Sequence, residues 1–248
     1  MSQFRDFSEI EIPTIVYKYR DWEDDYHKRI ITHREIYFPS PERFDDKFDC
    51  RIPIRYDLLR HRDMVLKVKS ERPDWTHKQQ KQFIRRWFQG KQESAMGEQE
   101  LFQEEFFSRF GVLSLTEIPD NDLMWHAYSN NSRGFCIGFN SEIMFNYLGG
   151  GGNVSYHNEL PIVYPRPKHS FEEQHNLQIY SKLREYEYEK EYRTHIFSKT
   201  TLTNEERTRI LPADAYSEII FGNNMPEEMQ EELLESIPNE LGHIKLIN

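Results

Sequence analysis

The sequence predicts an α+β fold: a mixed sheet core with a helical insertion. Three observations carry that reading. Short β-branched and aromatic runs recur from Val16 to Phe221, each bounded by turn residues. Between about residues 56 and 110 the apolar spacing changes to a helical period, with Phe83, Trp87, Leu101, Phe102 and Phe106 recurring at helical intervals. Strands and helices then alternate without the regular spacing of βαβ units, which disfavours a doubly wound sheet.

Residues 14–20 follow Pro13 and are β-branched and aromatic, so they form the first strand. Residues 22–33 read as a short helix, and 36–38 as a strand stopped by Pro39 and Pro41. Residues 44–49 form an ordered loop pinned by Phe44 and Phe48. The insertion holds two helices, with Gly90 and Gly97 allowing the break between them. Residues 112–116 and 134–139 are strands with a helix at 123–128 between them, and Gly149 to Gly152, lacking a following Lys and Ser or Thr, are a flexible connection rather than a phosphate cradle. A strand at 160–164, a helix at 175–187, a buried strand at 218–222 and a helix at 226–236 with Pro226 in its first turn complete the chain.

Composition narrows the class. At 248 residues the chain reads as a single domain, with the insertion inside it. Charged residues make up 30% and aromatics 14%, so the core is expected to be rich in Phe and Tyr. No stretch approaches the roughly 20 consecutive apolar residues of a membrane span, and the start, Met1 to Asp6, lacks the pattern of a signal peptide; a cytoplasmic location without membrane partners is the expectation. Cys50 and Cys136 stand far apart and outside any Cys-x-x-Cys, so they are expected to be reduced and buried. The ten histidines fall in no ligand spacing, so no metal site is expected.

Net charge is -10, which opposes coating of nucleic acid by the global field. One segment departs from this. From Arg60 to Lys91 ten Lys and Arg face only Asp63, Glu71 and Asp74, with Trp75, Phe83, Trp87 and Phe88 interleaved. Aromatics among cations suit stacked bases and bound phosphates, whereas an amphipathic helix with its aromatics in the core is the plainer reading.

The most chemically ordered stretch is 186–197. Read as a strand, it sorts Tyr188, Tyr192 and Ile196 to one face and Glu189, Glu191, Arg193 and His195 to the other. Two carboxylates, a guanidinium and an imidazole on a strand backed by a core make a candidate active-site edge. The alternative is a solvated charged face.

Six runs in this order resemble the bacterial domain of unknown function 2971 family across nearly the whole chain. They are Val16-Tyr17-Lys18-Tyr19-Arg20; residues 36–49, ending Phe44-Asp45-Asp46-Lys47-Phe48-Asp49; Leu113-Ser114-Leu115-Thr116; Met124-Trp125-His126-Ala127-Tyr128 with residues 133–139; Tyr188-Glu189-Lys190-Glu191-Tyr192-Arg193; and Ile219-Ile220-Phe221-Gly222. The chain departs from the family's pattern at Asp45 to Lys47 and at Tyr186. A basic residue on the first strand, an aromatic in a middle block and a late Glu-x-Glu are more remotely similar to ADP-ribosyltransferases. That likeness implies an ADP-ribosyltransferase-like core acting on NAD as its substrate, in a toxin or phage-defence effector of a bacterium or phage. A protein or nucleic-acid acceptor, and an antitoxin or inhibitor partner, belong to the same context.

The resemblance implies roles. Glu191 would stabilise the positive charge that develops on the ribose when the nicotinamide bond breaks, and Glu189 would position or deprotonate the acceptor. Tyr128, or Tyr37 in its place, would stack on nicotinamide. Lys18 or Arg20, taken to project to opposite sides of their strand, would hold the pyrophosphate or adenosine ribose, with Tyr19, Ser40 and Arg193 on the cofactor side. Trp125 is read as core, and Arg193 as an ion pair with Asp49 or Glu189 that fixes the geometry. Two alternatives stay open: a metal-dependent nuclease using Asp45, Asp46, Asp49, Glu189 and Glu191 around Mg²⁺, and a non-catalytic module that binds through the basic insertion.

Overall fold

The apolar strand runs are short and assemble edge to edge, and residues 110–116 and 135–140, at the centre, are buried on both faces. The computed structural model describes residues 12–247. Strand β1 (Ile15–Arg20) leads through helix α1 (Asp25–Thr32) to β2 (Glu35–Tyr37). Three helices follow, α2 (His61–Glu71), α3 (His77–Gln89) and α4 (Lys91–Arg109), the last running directly into β3 (Phe110–Thr116). Next come α5 (Asp122–Tyr128), β4 (Phe135–Asn140), α6 (Ser141–Leu148), β5 (Gly152–Asn153) and β6 (Ser155–His157). After α7 (Phe171–Tyr180) the chain forms β7 (Ser181–Leu183), β8 (Glu191–Phe197), β9 (Thr208–Ile210), β10 (Tyr216–Phe221), α8 (Glu227–Glu235) and β11 (Lys245–Ile247).

The protein is α+β, with a seven-stranded mixed sheet in the order β11-β10-β4-β1-β3-β8-β5. Among the described residues only β10 and β11 run parallel in it, and two small sheets, β2-β9 and β6-β7, lie outside. One face of the sheet carries Val16, Leu113, Leu115, Phe135, Ile137, Phe139 and Ile219, which pack with Ile30 and Ile31 of α1, Met144 and Phe145 of α6 and Leu233 of α8 into the main core. Trp22, Phe38, Phe106, Phe135, Phe139 and Tyr216 are among the largest fully buried side chains, so the core is aromatic as composition predicts. The insertion has a second core, in which Met64, Val68, Ile84 and Trp87 pack with Ile52, Ile54 and Val163. Cys50 and Cys136 are free and buried. Among the described residues no helix is long and apolar enough to cross a membrane. The expectation for Met1 to Asp6 lies outside the described residues.

Several elements differ from expectation, each for a local reason. The strand expected from Tyr188 starts at Glu191, because Arg184–Glu189 winds into a 3-10 turn and Lys190 takes a left-handed conformation with φ 42°. Glu189 therefore does not share the strand's pleat. The helix expected to reach Glu187 stops at Tyr180, and Ser181 to Leu183 pair with β6 instead. The insertion holds three helices rather than two. Pro73 follows the end of α2, a Thr76–Gln79 capping box starts α3, and Gly97 sits within α4. Residues 160–164 contribute a single bridge, Val163 to Ile54, instead of a strand. Within the Gly149 to Gly152 connection, Gly149 ends α6 at φ 89° and Gly152 pairs with Arg193.

Candidate functional site

The site begins where the sheet opens. Among the described residues β1 and β3 register in one pair, Tyr17 with Thr116; beyond it the strands part, and Lys18 Nζ spans the gap with a 2.6 Å bond to the Ser114 carbonyl. A cavity of about 590 Å³ occupies the opening. Tyr17, Lys18, Tyr19 and Arg20 form one wall, Val112, Ser114 and Leu115 of β3 line it too, and Tyr128, Lys182, Glu189 and Glu191 bring the carboxylates. Because this edge of β1 is unpaired, side chains from both faces of the strand reach the cavity. Lys18 and Arg20, two residues apart, share one face, which corrects the expectation that they diverge.

Behind the wall lies a buried charge network. Arg193 is fully buried and makes a two-pronged pair with Asp49, Nη1 to Oδ1 at 2.7 Å and Nη2 to Oδ2 at 2.6 Å. Its Nε and Nη2 also bind Glu191 at 2.7 and 2.8 Å, and Nη1 binds the Ile179 carbonyl at 2.7 Å. Lys182 Nζ stands among three carboxylates, 2.5 Å from Glu189, 3.3 Å from Glu191 and 3.6 Å from Asp49. Tyr128 closes the chain, its hydroxyl donating to Glu189 Oε1 at 2.9 Å. Fully ionised, the three carboxylates exceed Arg193 and Lys182 by one negative charge.

Burial and neighbours set the titration of these groups. Burial works against ionisation of Glu191, but Arg193 and Lys182 outweigh it and hold the carboxyl at about 2, with Ser114 assisting. Glu189 moves the other way: burial and the charge of Glu191 raise it despite Lys182. Burial and Arg20 push Lys18 well below the usual lysine range, and burial lowers Arg20 to about 10. His27, which also lines the cavity, is lowered to about 4 by burial and by Arg20.

The two glutamates differ in what they have left to offer. Glu191 receives two bonds from Arg193 and one from Lys182. Glu189 accepts one bond on each oxygen, from Tyr128 and from Lys182, so each oxygen keeps a free lone pair. Glu189 can hold a hydroxyl or take a proton; Glu191 acts as a fixed charge.

Of the residues proposed from sequence, Lys18, Tyr19, Arg20, Tyr128, Glu189 and Glu191 line one cavity. Arg193 does not line it; its pairing with Asp49 was anticipated, while its second carboxylate is Glu191 rather than Glu189. Ser40 lies elsewhere, donating to the Phe107 carbonyl and capping the Pro41–Arg43 turn. The Tyr19 hydroxyl is already committed to the Ile118 carbonyl. Tyr37 lines a separate depression and bonds Asn204. Trp125 packs edge-on against Tyr19. Lys182 was missed, because an expected helix across residues 175–187 gave it no reason to face the glutamates. For the nuclease alternative, the three converging carboxylates surround the Lys182 ammonium, and among the described residues no group of His, Cys, Asp or Glu is arranged to hold a metal ion.

No protein-family model matches this chain, and comparison with curated proteins and with solved structures gives no match.

Proposed function

We propose that the cavity binds NAD and transfers its ADP-ribosyl group to an acceptor hydroxyl or to water. The observation that supports this most is the division of charge along one cavity, with the Arg20 guanidinium and the Lys18 amine on the β1 wall and the Glu189–Lys182–Glu191 cluster, net negative with Asp49 and Arg193, on another. Such a site suits a ligand with an anionic pyrophosphate and a sugar that becomes cationic in the transition state. In the reaction the bond from ribose C1′ to the nicotinamide nitrogen breaks and its electron pair leaves with neutral nicotinamide. An acceptor oxygen then bonds C1′ and its proton passes to Glu189, whose raised carboxyl suits that task. Glu191 supplies fixed negative charge close to the developing cation, held in place by Arg193. Tyr128 orients Glu189 through its hydroxyl, and its ring edges the nicotinamide end.

The test is nicotinamide release and acceptor labelling by the purified chain. Glu189→Gln keeps the size of the side chain and should slow turnover by about a hundredfold, roughly 2.7 kcal/mol of barrier, with NAD binding retained. Its rate should also lose the acid limb that the wild type shows at a pH above the ordinary carboxylate value. Wild-type protein that neither binds nor consumes NAD with protein, nucleic acid or water as acceptor removes this reading.

A further inference from the structure

We propose that the exposed face of α3 docks on the backbone of double-stranded DNA, a binding surface separate from the cavity. The helix spans His77–Gln89 and contains no acidic residue, in a chain whose net charge is -10. At 100° per residue, Lys78, Lys81, Gln82, Arg85 and Gln89 fall on one stripe, with Arg86 beside it. All six are exposed, while Ile84 and Trp87 on the opposite side are buried in the insertion's core. Among the described residues Lys78, Lys81, Arg85 and Arg86 form no ion pair, although Arg60, Arg62 and Lys67 on the neighbouring segment do. Four unneutralised cations on a single helix repel each other. Phosphates would relieve that repulsion.

The side chains between the cations select the partner. Phe83 and Phe88 pack against the insertion's core and Trp75 lies under Arg72, so the stripe offers no aromatic ring for the bases of a single strand to stack on. It offers no exposed aliphatic face for a lipid surface either, which a membrane-lying helix requires. What remains is cation and glutamine, suited to phosphate oxygens and to base edges. A convex helix about 10 Å across enters the major groove of B-form DNA, roughly 12 Å wide, whereas the deep, narrow groove of duplex RNA excludes it. The aromatics interleaved in this segment are therefore core, and the cations are its binding groups.

The experiment titrates a short fluorescent DNA duplex with the whole chain across a salt series, beside single-stranded DNA and duplex RNA of equal length, polyglutamate and phosphatidylserine vesicles. The variant combines Lys78→Gln, Lys81→Gln and Arg85→Gln, all exposed and outside the cavity, with circular dichroism and nicotinamide release as controls. Duplex DNA should bind most tightly, with the log of affinity falling by about 0.9 per log unit of salt for each phosphate neutralised, and the triple variant should lower that slope by roughly 2.7. The proposal is overturned by absence of duplex binding at low salt, by binding that the triple variant leaves unchanged, or by equal capture of polyglutamate, vesicles, single strands or duplex RNA. Failure of NAD turnover leaves this test unaffected, because its readout is DNA binding alone.

Discussion

At the scale of single residues, Arg193 decides the most. A guanidinium with no solvent exposure loses its hydration, and the four bonds to Asp49 and Glu191, with further bonds to the Ile179 carbonyl and Cys50 Sγ, make that burial tolerable. Arg193→Met keeps much of the volume but strands two buried carboxylates, so it should cost about 3–5 kcal/mol in urea unfolding. Adding Asp49→Asn should return part of that loss, since one of the stranded charges is then gone. A single variant as stable as wild type would show that the network is solvated and the cavity wall is not fixed by it. The same reasoning changes the expectation for Glu191. Read as a cleft-facing strand residue it should tolerate Gln; buried at 4% exposure and paired with Arg193, it carries part of the stability as well. The pairing of Arg193 with Asp49 was legible because a guanidinium beside a buried run needs a carboxylate. Lys182 was not, because its neighbours are chosen by a turn that no local signal announces.

That turn acts at the scale of elements. Lys190 sits at φ 42° between the 3-10 turn and β8, and this single left-handed residue aims Glu189 and Glu191 at the same ammonium from two different elements. A left-handed conformation costs a residue with a Cβ roughly 1–2 kcal/mol, which glycine avoids while losing some chain entropy on folding. Lys190→Gly should therefore leave stability unchanged or raise it by up to about 1 kcal/mol, whereas Lys190→Val should lower it and slow NAD turnover. Thermal unfolding and nicotinamide release measure both; a valine variant equal to wild type would mean that the turn does not set the site. Strands such as β1, β3 and β4 were legible because one face of each is apolar: Ile15, Tyr17 and Tyr19 on β1, Leu113 and Leu115 on β3, and Phe135, Ile137 and Phe139 on β4. The boundary between α7 and β7 was hidden, since Ser181 to Leu183 become a strand only by pairing with β6, a partner more than twenty residues away. The departure of β1 from β3, which makes the cavity, is a tertiary event of the same kind.

At the scale of the whole molecule, buried titratable groups set how the fold responds to acid. His175 is enclosed by Phe102, Phe106, Phe110 and Phe171, and burial lowers it from 6.5 to about 4; His27 is lowered to about the same value. A histidine whose folded value lies below its unfolded one binds its proton more readily in the unfolded chain, so its stabilising share is complete above 6.5 and is lost as the pH falls toward 4. Glu191 continues the loss, from 4.5 down to about 2. Glu189, raised instead of lowered, opposes it, because its protonation favours the folded state as the pH drops. The urea midpoint should thus decline from about pH 6.5 rather than from the carboxylate range, and each histidine should contribute a slope of about 1.4 kcal/mol per pH unit where only the unfolded chain holds the proton. His175→Phe removes one such group and its bond to the Phe171 carbonyl, so it should flatten the limb between pH 6.5 and 4 by about that slope while shifting stability at neutral pH by a constant amount. A midpoint that stays level down to pH 5 in the wild type would mean that His175 and His27 are protonated within the fold, and that the aromatic enclosure opens to water.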